Sequence, residues 1–147
     1  MKECFQSFSP EETMEIGQRL ASSLEQGSLV LLYGDLGAGK SVFARGVALF
    51  FGVSESEVRS PTFTLLNIYD SPAGSVNHFD LYRIEDPEEL FQLGFDEHIE
   101  EGIVSVIEWA EKAEIPPGVP AVKVRMTIVD DTTREIRIER AYVHSGC

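Results

Sequence analysis

Residues 34–41 combine residue types and a spacing that suit the binding of phosphate groups. They read Gly-Asp-Leu-Gly-Ala-Gly-Lys-Ser and match the pattern Gly-x-x-x-x-Gly-Lys-Ser/Thr at every fixed position. The apolar run 29–33 precedes them, and a helical pattern over 42–51 follows. A glycine loop between a strand and a helix presents backbone N–H groups to an anion at the helix N-terminus. The segment therefore predicts a nucleoside triphosphate site rather than a chance glycine-rich turn.

The side chains of this loop have separable roles in such a site. Lys40 would reach the β- and γ-phosphates, and the Ser41 hydroxyl would ligate Mg²⁺. Glycines in the loop allow positive φ angles and a close approach of the backbone to phosphate. The residues expected to contact the nucleotide here are Leu36, Gly37, Ala38, Gly39, Lys40 and Ser41.

Length and composition indicate one ordinary globular domain over residues 1–147. Apolar residues make up 43% of the chain and charged residues 25%. The N-terminus lacks the apolar core of a signal peptide, and no apolar run is long enough to span a bilayer. Cys4 and Cys147 lie at opposite ends without metal-ligand spacing, which favours free thiols over a terminal disulfide. We therefore expect a cytoplasmic protein that does not bind membranes.

The formal net charge is −13, from 12 basic and 25 acidic residues. Charges beyond a Debye length of about 8 Å are largely screened, so this excess permits a local phosphate site. A nucleic-acid surface differs, because it needs several phosphate contacts over a broad area. We therefore expect no DNA binding, no independent grip on RNA, and protein partners with basic patches.

Helix signals flank the phosphate loop. Ser9 as N-cap, Pro10 at the first helical position and Glu12 in a capping box predict a helix. Its buried face would carry Ile16, Leu20 and Leu24. Gly27 is expected to end this helix, and Gly52 to follow the helix after the phosphate loop.

The remaining segments predict mostly strands. Residues 63–69 and 76–82 flank a turn and suggest an antiparallel hairpin, and residues 86–93 begin a short helix. Residues 103–107 form a core strand, and alternating apolar residues in 122–138 suggest a final hairpin. The expected fold is an α/β three-layer sandwich of P-loop NTPase type, with a mixed sheet and antiparallel hairpin additions.

Two carboxylates stand at predicted strand ends, where a triphosphatase needs groups that hold Mg²⁺ and orient the attacking group. Glu108 follows the apolar run 103–107 and is the stronger candidate. The alternative for Glu108 is an acid that caps a helix. Asp80 follows a weaker apolar run, and a solvated hairpin carboxylate is an equally good interpretation.

Three further residues carry less specific signals. Thr62 could bring its hydroxyl near the γ-phosphate and Mg²⁺, or Pro61 and Thr62 could simply turn the chain into a strand. Trp109 follows Glu108, and a lone tryptophan is more often a core or interface residue than a catalytic one. His78, on an alternating strand, is interpreted as structural rather than as a ligand.

Basic residues in the final hairpin form an apparent cluster, but Glu135 and Glu139 alternate with Arg137 on one face. Cross-strand ion pairs on a solvent-facing sheet explain most of this pattern. Arg134, beside the turn at 130–133, remains the candidate for a ligand contact.

The motifs together resemble the TsaE family, bacterial P-loop ATPases of tRNA threonylcarbamoyladenosine synthesis, from about Ser9 to Arg140. The phosphate loop alone is generic. The more specific motifs are Ser-Pro-Thr-Phe-Thr-Leu at 60–65, His-Phe-Asp-Leu-Tyr-Arg at 78–83, Asp-Pro-Glu-Glu-Leu at 86–90 and Ile-Glu-Trp-Ala-Glu at 107–111.

One position departs from the family pattern. Members commonly have two threonines after the lysine of the loop, whereas this chain has Ser41 and Val42. Serine keeps a metal-ligand hydroxyl. Val42 removes a hydroxyl contact to the α-phosphate, which predicts somewhat weaker nucleotide affinity.

The resemblance implies a Mg²⁺-dependent ATPase that is slow alone and works with partners. Family members associate with the TsaB–TsaD pair, which transfers a threonylcarbamoyl group to the adenosine beside the tRNA anticodon. On this resemblance, ATP binding and hydrolysis would reset that complex between turnovers. The chain would then meet tRNA only indirectly, through its partners.

The resemblance also implies roles for residues of this chain. Lys40 would hold phosphate, and Ser41 and Glu108 would support the metal. Contacts to the base would come from the segments near Pro10 and Thr133. The residues with implied catalytic roles are Glu108, Asp80, Thr62 and Trp109.

Three other functions also fit a phosphate loop. A small-molecule kinase usually closes an Arg-bearing lid over the phosphates, but residues 91–102 contain no arginine or lysine. A GTPase is disfavoured because the base-reading pattern Asn-Lys-x-Asp is absent. A nucleotide-responsive interaction module with negligible hydrolysis is the third alternative.

Overall fold

The computed structural model describes residues 2–59 and 65–141, and the strands within those ranges form one mixed sheet. The strands are β1 (Lys2–Ser7), β2 (Ser28–Tyr33), β3 (Leu66–Ser71), β4 (Gly74–Asp80), β5 (Val104–Glu108), β6 (Ala121–Ile128) and β7 (Arg134–Ala141). Their order across the sheet is β1-β7-β6-β2-β5-β4-β3. The four central strands, β6, β2, β5 and β4, are parallel to one another, and antiparallel strands complete both edges. The predicted mixed sheet with antiparallel hairpins is confirmed.

Helices cover both faces of this sheet. They are α1 (Pro10–Ala21), α2 (Lys40–Phe50), α3 (Glu88–Leu93), α4 (Phe95–Glu101) and a 3₁₀ turn (Ala110–Lys112). The core beneath α1 and α2 is separate from the core beneath α3, α4 and the 3₁₀ turn. The predicted three-layer sandwich is therefore confirmed. Among the described residues, no helix has both the length and the apolarity that crossing a membrane requires.

Strand β2 lies at the centre of the molecule and contributes to both cores. Val30 and Leu32 pack toward α1 and α2, whereas Leu29 and Leu31 pack toward the opposite helices. All four side chains are at most 2% exposed. A parallel strand covered on both faces needs apolar residues at consecutive positions, which explains the unbroken run that the sequence shows here.

The register of the parallel strands brings two acidic residues to one level of the sheet. Glu108, the last residue of β5, pairs with Leu32 of β2 on one side and with Asp80 of β4 on the other. The phosphate loop begins at Gly34, directly after β2. Because ligands of open α/β sheets bind beyond the carboxyl ends of the strands, this edge is the expected position of a site.

Helix α1 begins as predicted but ends earlier. The Ser9 hydroxyl accepts a hydrogen bond from the Glu12 N–H at 3.1 Å, although the Glu12 carboxylate accepts from Phe8 N–H rather than from Ser9. The prediction that Gly27 ends the helix was wrong. The helix stops at Ala21, because the hydroxyl of Ser22 donates to a carbonyl of the last turn, at 2.6 Å, and closes the helix there.

Strand β1, helix α4 and the 3₁₀ turn were not predicted, and one hairpin is shifted. Strand β1 is short and polar, and it is held by pairing with β7 at the far end of the chain. Helix α4 is separated from α3 by Gly94, whose φ is +77°, and it is held to the sheet by the buried Phe95 and Ile99. Strands β3 and β4 flank a turn two residues long, and β4 spans Gly74–Asp80 rather than residues 76–82.

Helices α1 and α2 cross in close contact through two glycines. A Cβ atom at Gly17 would lie 2.5 Å from the carbonyl oxygen of Phe43, and one at Gly46 would collide with the carbonyl oxygen of Met14. This close crossing holds the N-terminal end of α1 beside the phosphate loop.

Replacing Gly46 with alanine should lower the free energy of unfolding by about 1–3 kcal/mol, because the added methyl group meets backbone that must move. Urea denaturation followed by circular dichroism measures the loss. Glu15→Ala, at an exposed position of α1, is the control and should change stability by less than about 0.5 kcal/mol. A Gly46→Ala chain as stable as the unmodified chain would contradict the tight crossing.

Candidate functional site

The phosphate loop connects β2 to α2 through glycines with left-handed backbone conformations. Gly37 and Gly39 have φ angles of +86° and +98°, which L-residues with a Cβ atom rarely adopt. Ala38 is fully buried, and its N–H donates to the Asp35 carbonyl at 3.0 Å, whereas Leu36 is 72% exposed at the tip. Helix α2 begins directly after Gly39, so the free N–H groups of its first turn belong to this loop.

The ammonium group of Lys40 is enclosed by the loop and by an aromatic ring. Its Nζ donates to the carbonyl oxygens of Gly34 at 2.6 Å and Asp35 at 3.0 Å, and it lies 4.1 Å from the centre of the Trp109 ring. The residue is only 4% exposed. Burial lowers the pKa of Lys40 below its usual 10.5, while nearby carboxylates, Glu108 first, act in the opposite direction.

The Glu108 carboxylate has a hydrogen-bond partner on each oxygen. The Ser41 hydroxyl donates to Oε1 at 2.9 Å, and Nε2 of His78 lies 2.6 Å from Oε2. Glu108 is 3% exposed and His78 is 2% exposed. Because burial of a carboxylate is costly without partners, these contacts account for an acidic side chain at the end of a core strand. The predicted alternative of a helix-capping acid does not describe this environment.

Asp80 lies beside Glu108 at the end of β4, where it is 5% exposed. Its Oδ1 accepts a hydrogen bond from Tyr82 N–H at 3.0 Å, which turns the chain away from the sheet. The alternative of a solvated hairpin carboxylate is wrong, because β4 is an inner strand that pairs with β5 as well as with β3.

Trp109 has an unusual backbone conformation for a residue other than glycine. Its φ is +58°, and its ring contacts that of Tyr82 in a tilted arrangement, with ring centres 5.1 Å apart and planes at 46°. The left-handed backbone turns the chain directly after β5 and brings the indole over Lys40. Backbone conformations of this type are costly and cluster at functional sites.

These side chains line one open cavity of about 410 Å³. Its walls contain Leu36, Gly37, Gly39, Lys40, Ser41, Val42, Asp80, Tyr82, Glu108 and Trp109. One cation, two carboxylates and a hydroxyl therefore converge beside the N-terminus of α2. This combination suits a phosphate chain with an associated divalent cation.

The oxygen ligands in this cavity fit Mg²⁺. A hydroxyl from Ser41 and carboxylates from Glu108 and Asp80 are hard donors of the kind that Mg²⁺ prefers. Over residues 2–59 and 65–141, no group of three or more His, Cys, Asp or Glu side chains could hold a metal ion without other ligands. Mg²⁺ characteristically binds through one or two carboxylates and completes its shell with phosphate oxygens and water, so the sparse set is sufficient.

A second cavity of about 280 Å³ lies on the other side of the phosphate loop and shares Gly37, Gly39 and Val42 with the first. Its remaining walls are Phe8, Ser9, Pro10, Thr13, Asp131, Thr132 and Arg134. The Asp130 carboxylate accepts hydrogen bonds within the turn before β7, and the bond from Thr132 N–H has the largest effect on its pKa. These bonds hold the pKa of Asp130 below its usual 3.8 and stabilise the turn.

Of the residues predicted to contact the base or another ligand, some line the second cavity and one lies behind its wall. Pro10 lines the second cavity, and Arg134 also lines it while donating to the Gly37 carbonyl at 3.2 Å. Thr133 is 8% exposed and lies between two wall residues, Thr132 and Arg134. Away from this cavity, Arg140 contacts Glu3 of β1 at 3.7 Å, but the predicted cross-strand pairing is not what engages Arg137.

Arg137 and Glu135 form an ion pair whose arginine side chain is exposed. Arg137 Nε contacts Glu135 Oε1 at 2.6 Å, within β7 rather than across two strands. The contact raises the pKa of Arg137 and lowers the pKa of Glu135.

Sequence reasoning missed the contact of His78 with Glu108 and assigned this histidine only a structural role. The spacing gave part of the signal, because residues two apart in a strand share a face and His78 precedes Asp80 by two positions, but the pairing of β4 with β5 was not visible in it. Tyr82 was also missed as a wall residue. The predicted switch residue Thr62 lies outside the described residues.

Comparison with known proteins identifies relatives of this chain. Residues 7–138 match the family model described as "Threonylcarbamoyl adenosine biosynthesis protein TsaE". The tRNA threonylcarbamoyladenosine biosynthesis protein TsaE of Rickettsia bellii is 37% identical over 91% of this chain and 92% of its own length. The protein of the same name from Aquifex aeolicus is 37% identical over 90% of this chain and 92% of its own.

A solved structure shows the same fold. The crystal structure of Bacillus subtilis YdiB superimposes with a TM-score of 0.75 at 27% identity, covering 97% of this chain and 87% of that one. The resemblance found in the motifs is thus confirmed by a family model and by relatives that match most of the chain. This chain belongs to the TsaE family of P-loop NTPase-type proteins.

Proposed function

We propose that this chain is an ATP-binding and ATP-hydrolysing subunit that supports formation of threonylcarbamoyladenosine in tRNA, at the adenosine beside the anticodon. The observation that carries the proposal is the convergence of Lys40, Ser41, Asp80 and Glu108 in one cavity at the phosphate loop. Membership of the TsaE family supplies the biological setting.

In this proposal, Lys40 exchanges its present carbonyl partners for phosphate oxygens when nucleotide binds. Its ammonium now binds carbonyl oxygens of Gly34 and Asp35, which are neutral acceptors. Charge-assisted contacts with phosphate oxygens are stronger than contacts with neutral carbonyls, so a phosphate chain would draw Nζ toward it. The nearby Trp109 ring would keep the cation aligned during this exchange, since an aromatic face attracts a cation.

Ser41 and Glu108 would support Mg²⁺, which supplies charge neutralisation at the phosphate oxygens. In the structure the Ser41 hydroxyl donates its hydrogen to Glu108. The same hydroxyl oxygen has lone pairs available for a metal, and the hydrogen bond keeps them turned into the cavity. Asp80 lines the same wall and in this proposal would accept a hydrogen bond from a metal-bound or attacking water.

The second cavity is suited to the base end of the nucleotide. Pro10 and Phe8 provide apolar surface, and the turn before Arg134 provides polar groups. Arg134 also links this turn to the phosphate loop through the Gly37 carbonyl. We infer that adenine lies between the start of α1 and the residue 130–134 turn, with Thr133 supporting that wall from behind.

The partner in this proposal is a TsaB–TsaD-type complex, whose cycle the ATPase would reset between turnovers. The strong negative charge supports contact with tRNA through such partners rather than directly. Slow hydrolysis by the isolated chain follows if partner binding completes the site. No observation favours the kinase alternative, because the segment where a lid would fall forms α4, with Phe95 and Ile99 buried against the sheet.

Lys40→Ala should weaken ATP binding by about tenfold or more, because it removes the charge that contacts the β- and γ-phosphates. Isothermal titration calorimetry in the presence of Mg²⁺ measures this loss. Lys123→Ala removes an equal charge from the distant β6 strand and serves as the matched control. Equal affinity in the Lys40→Ala chain and the unmodified chain would show that nucleotide binds elsewhere.

Glu108→Ala should reduce the rate of ATP hydrolysis more than it reduces ATP affinity. The carboxylate contacts the group proposed to hold Mg²⁺, whereas Lys40 and the loop backbone retain the phosphate contacts. A phosphate-release assay and calorimetry on the same preparation separate the two effects. An equal loss of binding and turnover would make Glu108 primarily a binding residue.

The cellular role is tested by affinity capture of the tagged chain from its native cytoplasm, with and without ATP. We expect ATP-dependent recovery of a two-subunit tRNA-modifying complex. The Lys40→Ala chain, carried through the same capture, should lose that ATP dependence. The proposal would be contradicted if the same proteins were captured regardless of ATP and of the substitution. It would also be contradicted if the purified chain used ATP to phosphorylate small molecules.

A further inference from the structure

A buried hydrogen-bond chain links Glu108 to strand β3 through His78. His78 Nε2 lies 2.6 Å from Glu108 Oε2, and Nδ1 lies 3.0 Å from the hydroxyl of Tyr69. Tyr69 and His78 are 4% and 2% exposed. Both ends of the imidazole are therefore occupied inside the protein, away from water.

The direction of these hydrogen bonds follows from counting hydrogens. The Tyr69 hydroxyl lies 2.6 Å from the carbonyl oxygen of Arg59, which can only accept, so the phenolic hydrogen lies in that contact. Arg59 N–H donates back to the same hydroxyl oxygen at 3.1 Å. Toward His78 the tyrosine oxygen is therefore an acceptor, and Nδ1 of the imidazole donates to it. A second hydrogen must lie between His78 Nε2 and Glu108 Oε2, because two bare acceptors would repel each other at 2.6 Å. The bond to Tyr69 fixes the plane of the imidazole ring.

A fixed ring in turn fixes the carboxylate. With Oε2 of Glu108 held by His78 Nε2, the other oxygen is directed at Ser41, whose hydroxyl is 2.9 Å away. A carboxylate held on one side cannot rotate freely about its last torsion, so its outward oxygen keeps one direction. In protein metal sites, partners that orient the ligands in this way typically contribute 10–100-fold to affinity or activity.

We propose that His78 is the positioning residue of this site and that it acts through Glu108. The inference rests on the proposed nucleotide function and adds a group that does not itself touch nucleotide. Tyr69 supports it by holding the opposite edge of the imidazole. If His78 had only a structural role, its imidazole would need only to fill space and to form hydrogen bonds with its own nitrogen atoms.

Two amide substitutions at His78 distinguish the contribution of Nε2 from that of Nδ1. Glutamine places its amide near the position of Nε2 and keeps a donor toward Glu108, whereas asparagine places its amide near Nδ1 and keeps only the contact with Tyr69. The two variants have similar polarity, and each retains one buried hydrogen bond. His78→Asn is expected to lower the ATP hydrolysis rate by about 10–100-fold, and His78→Gln is expected to remain at least about tenfold more active than His78→Asn.

Nucleotide binding provides a readout that does not depend on turnover. Trp109 is the only tryptophan in the chain, and its ring contacts Lys40, so its fluorescence reports occupancy of the site. In His78→Asn we expect ATP affinity in EDTA to stay as in the unmodified chain and the Mg²⁺ concentration for half-maximal effect to rise about tenfold or more. His78→Gln should remain near the unmodified chain in both measurements.

The outcomes distinguish this inference from the proposed function. Equal activity and equal Mg²⁺ dependence in the two variants would overturn the positioning role, whether both match the unmodified chain or both are impaired. A loss in His78→Asn that also appears in EDTA, or that follows a lower midpoint of thermal unfolding than in His78→Gln, would assign His78 to the fold alone. An unmodified chain that binds no nucleotide would instead overturn the proposed function, and this inference with it.

Discussion

The Glu108 carboxylate lies at the end of a core strand, almost entirely removed from water, and the surrounding site is arranged around its need for partners. A buried carboxylate without hydrogen bonds is strongly disfavoured, so each oxygen requires a donor. Ser41 supplies one from the first turn of α2, and His78 supplies the other contact from β4. One side chain therefore joins the phosphate loop to the parallel sheet, and displacement of any of the three elements would leave a buried polar group unsatisfied.

The second requirement is the placement of a cation among neutral partners. Lys40 is enclosed by two loop carbonyls and the face of Trp109, so it is held in position by contacts weaker than those that an anion would offer. Nearby carboxylates offset part of the cost of burying this charge. A high overall negative charge is compatible with phosphate binding under these conditions, because the local groups act at contact distance and the distant ones are screened.

The two cavities on either side of the phosphate loop depend on packing far from it. Close contact of α1 with α2 at Gly17 and Gly46 holds Pro10 next to the loop, and the β6–β7 hairpin brings Arg134 to the opposite wall. The proposed nucleotide-binding region thus draws on residues near both ends of the described chain. Agreement over residues 7–138 with the family model is consistent with a site that needs nearly all of the described fold.

Much of the site is local in sequence and was predictable for that reason. The loop from Gly34 to Ser41 contains its own glycines, cation and hydroxyl, and a neighbouring strand and helix are enough to orient them. Glu108 was also predictable, since an acid directly after an apolar strand stands at the sheet edge. The sequence by itself therefore determined the α/β class, the family and most of the residues proposed to bind phosphate.

Only the tertiary structure decided which residues meet across strands and helices. Whether Asp80 was solvated or buried depended on β4 pairing with both β3 and β5, and strand pairing over such sequence distances leaves no local signal. The contact of His78 with Glu108 likewise requires the parallel register of β4 and β5, and Trp109 reaches Lys40 only through its left-handed backbone. Residue types limited the chemistry to phosphate and metal, whereas register and burial decided which side chains are close enough to act together.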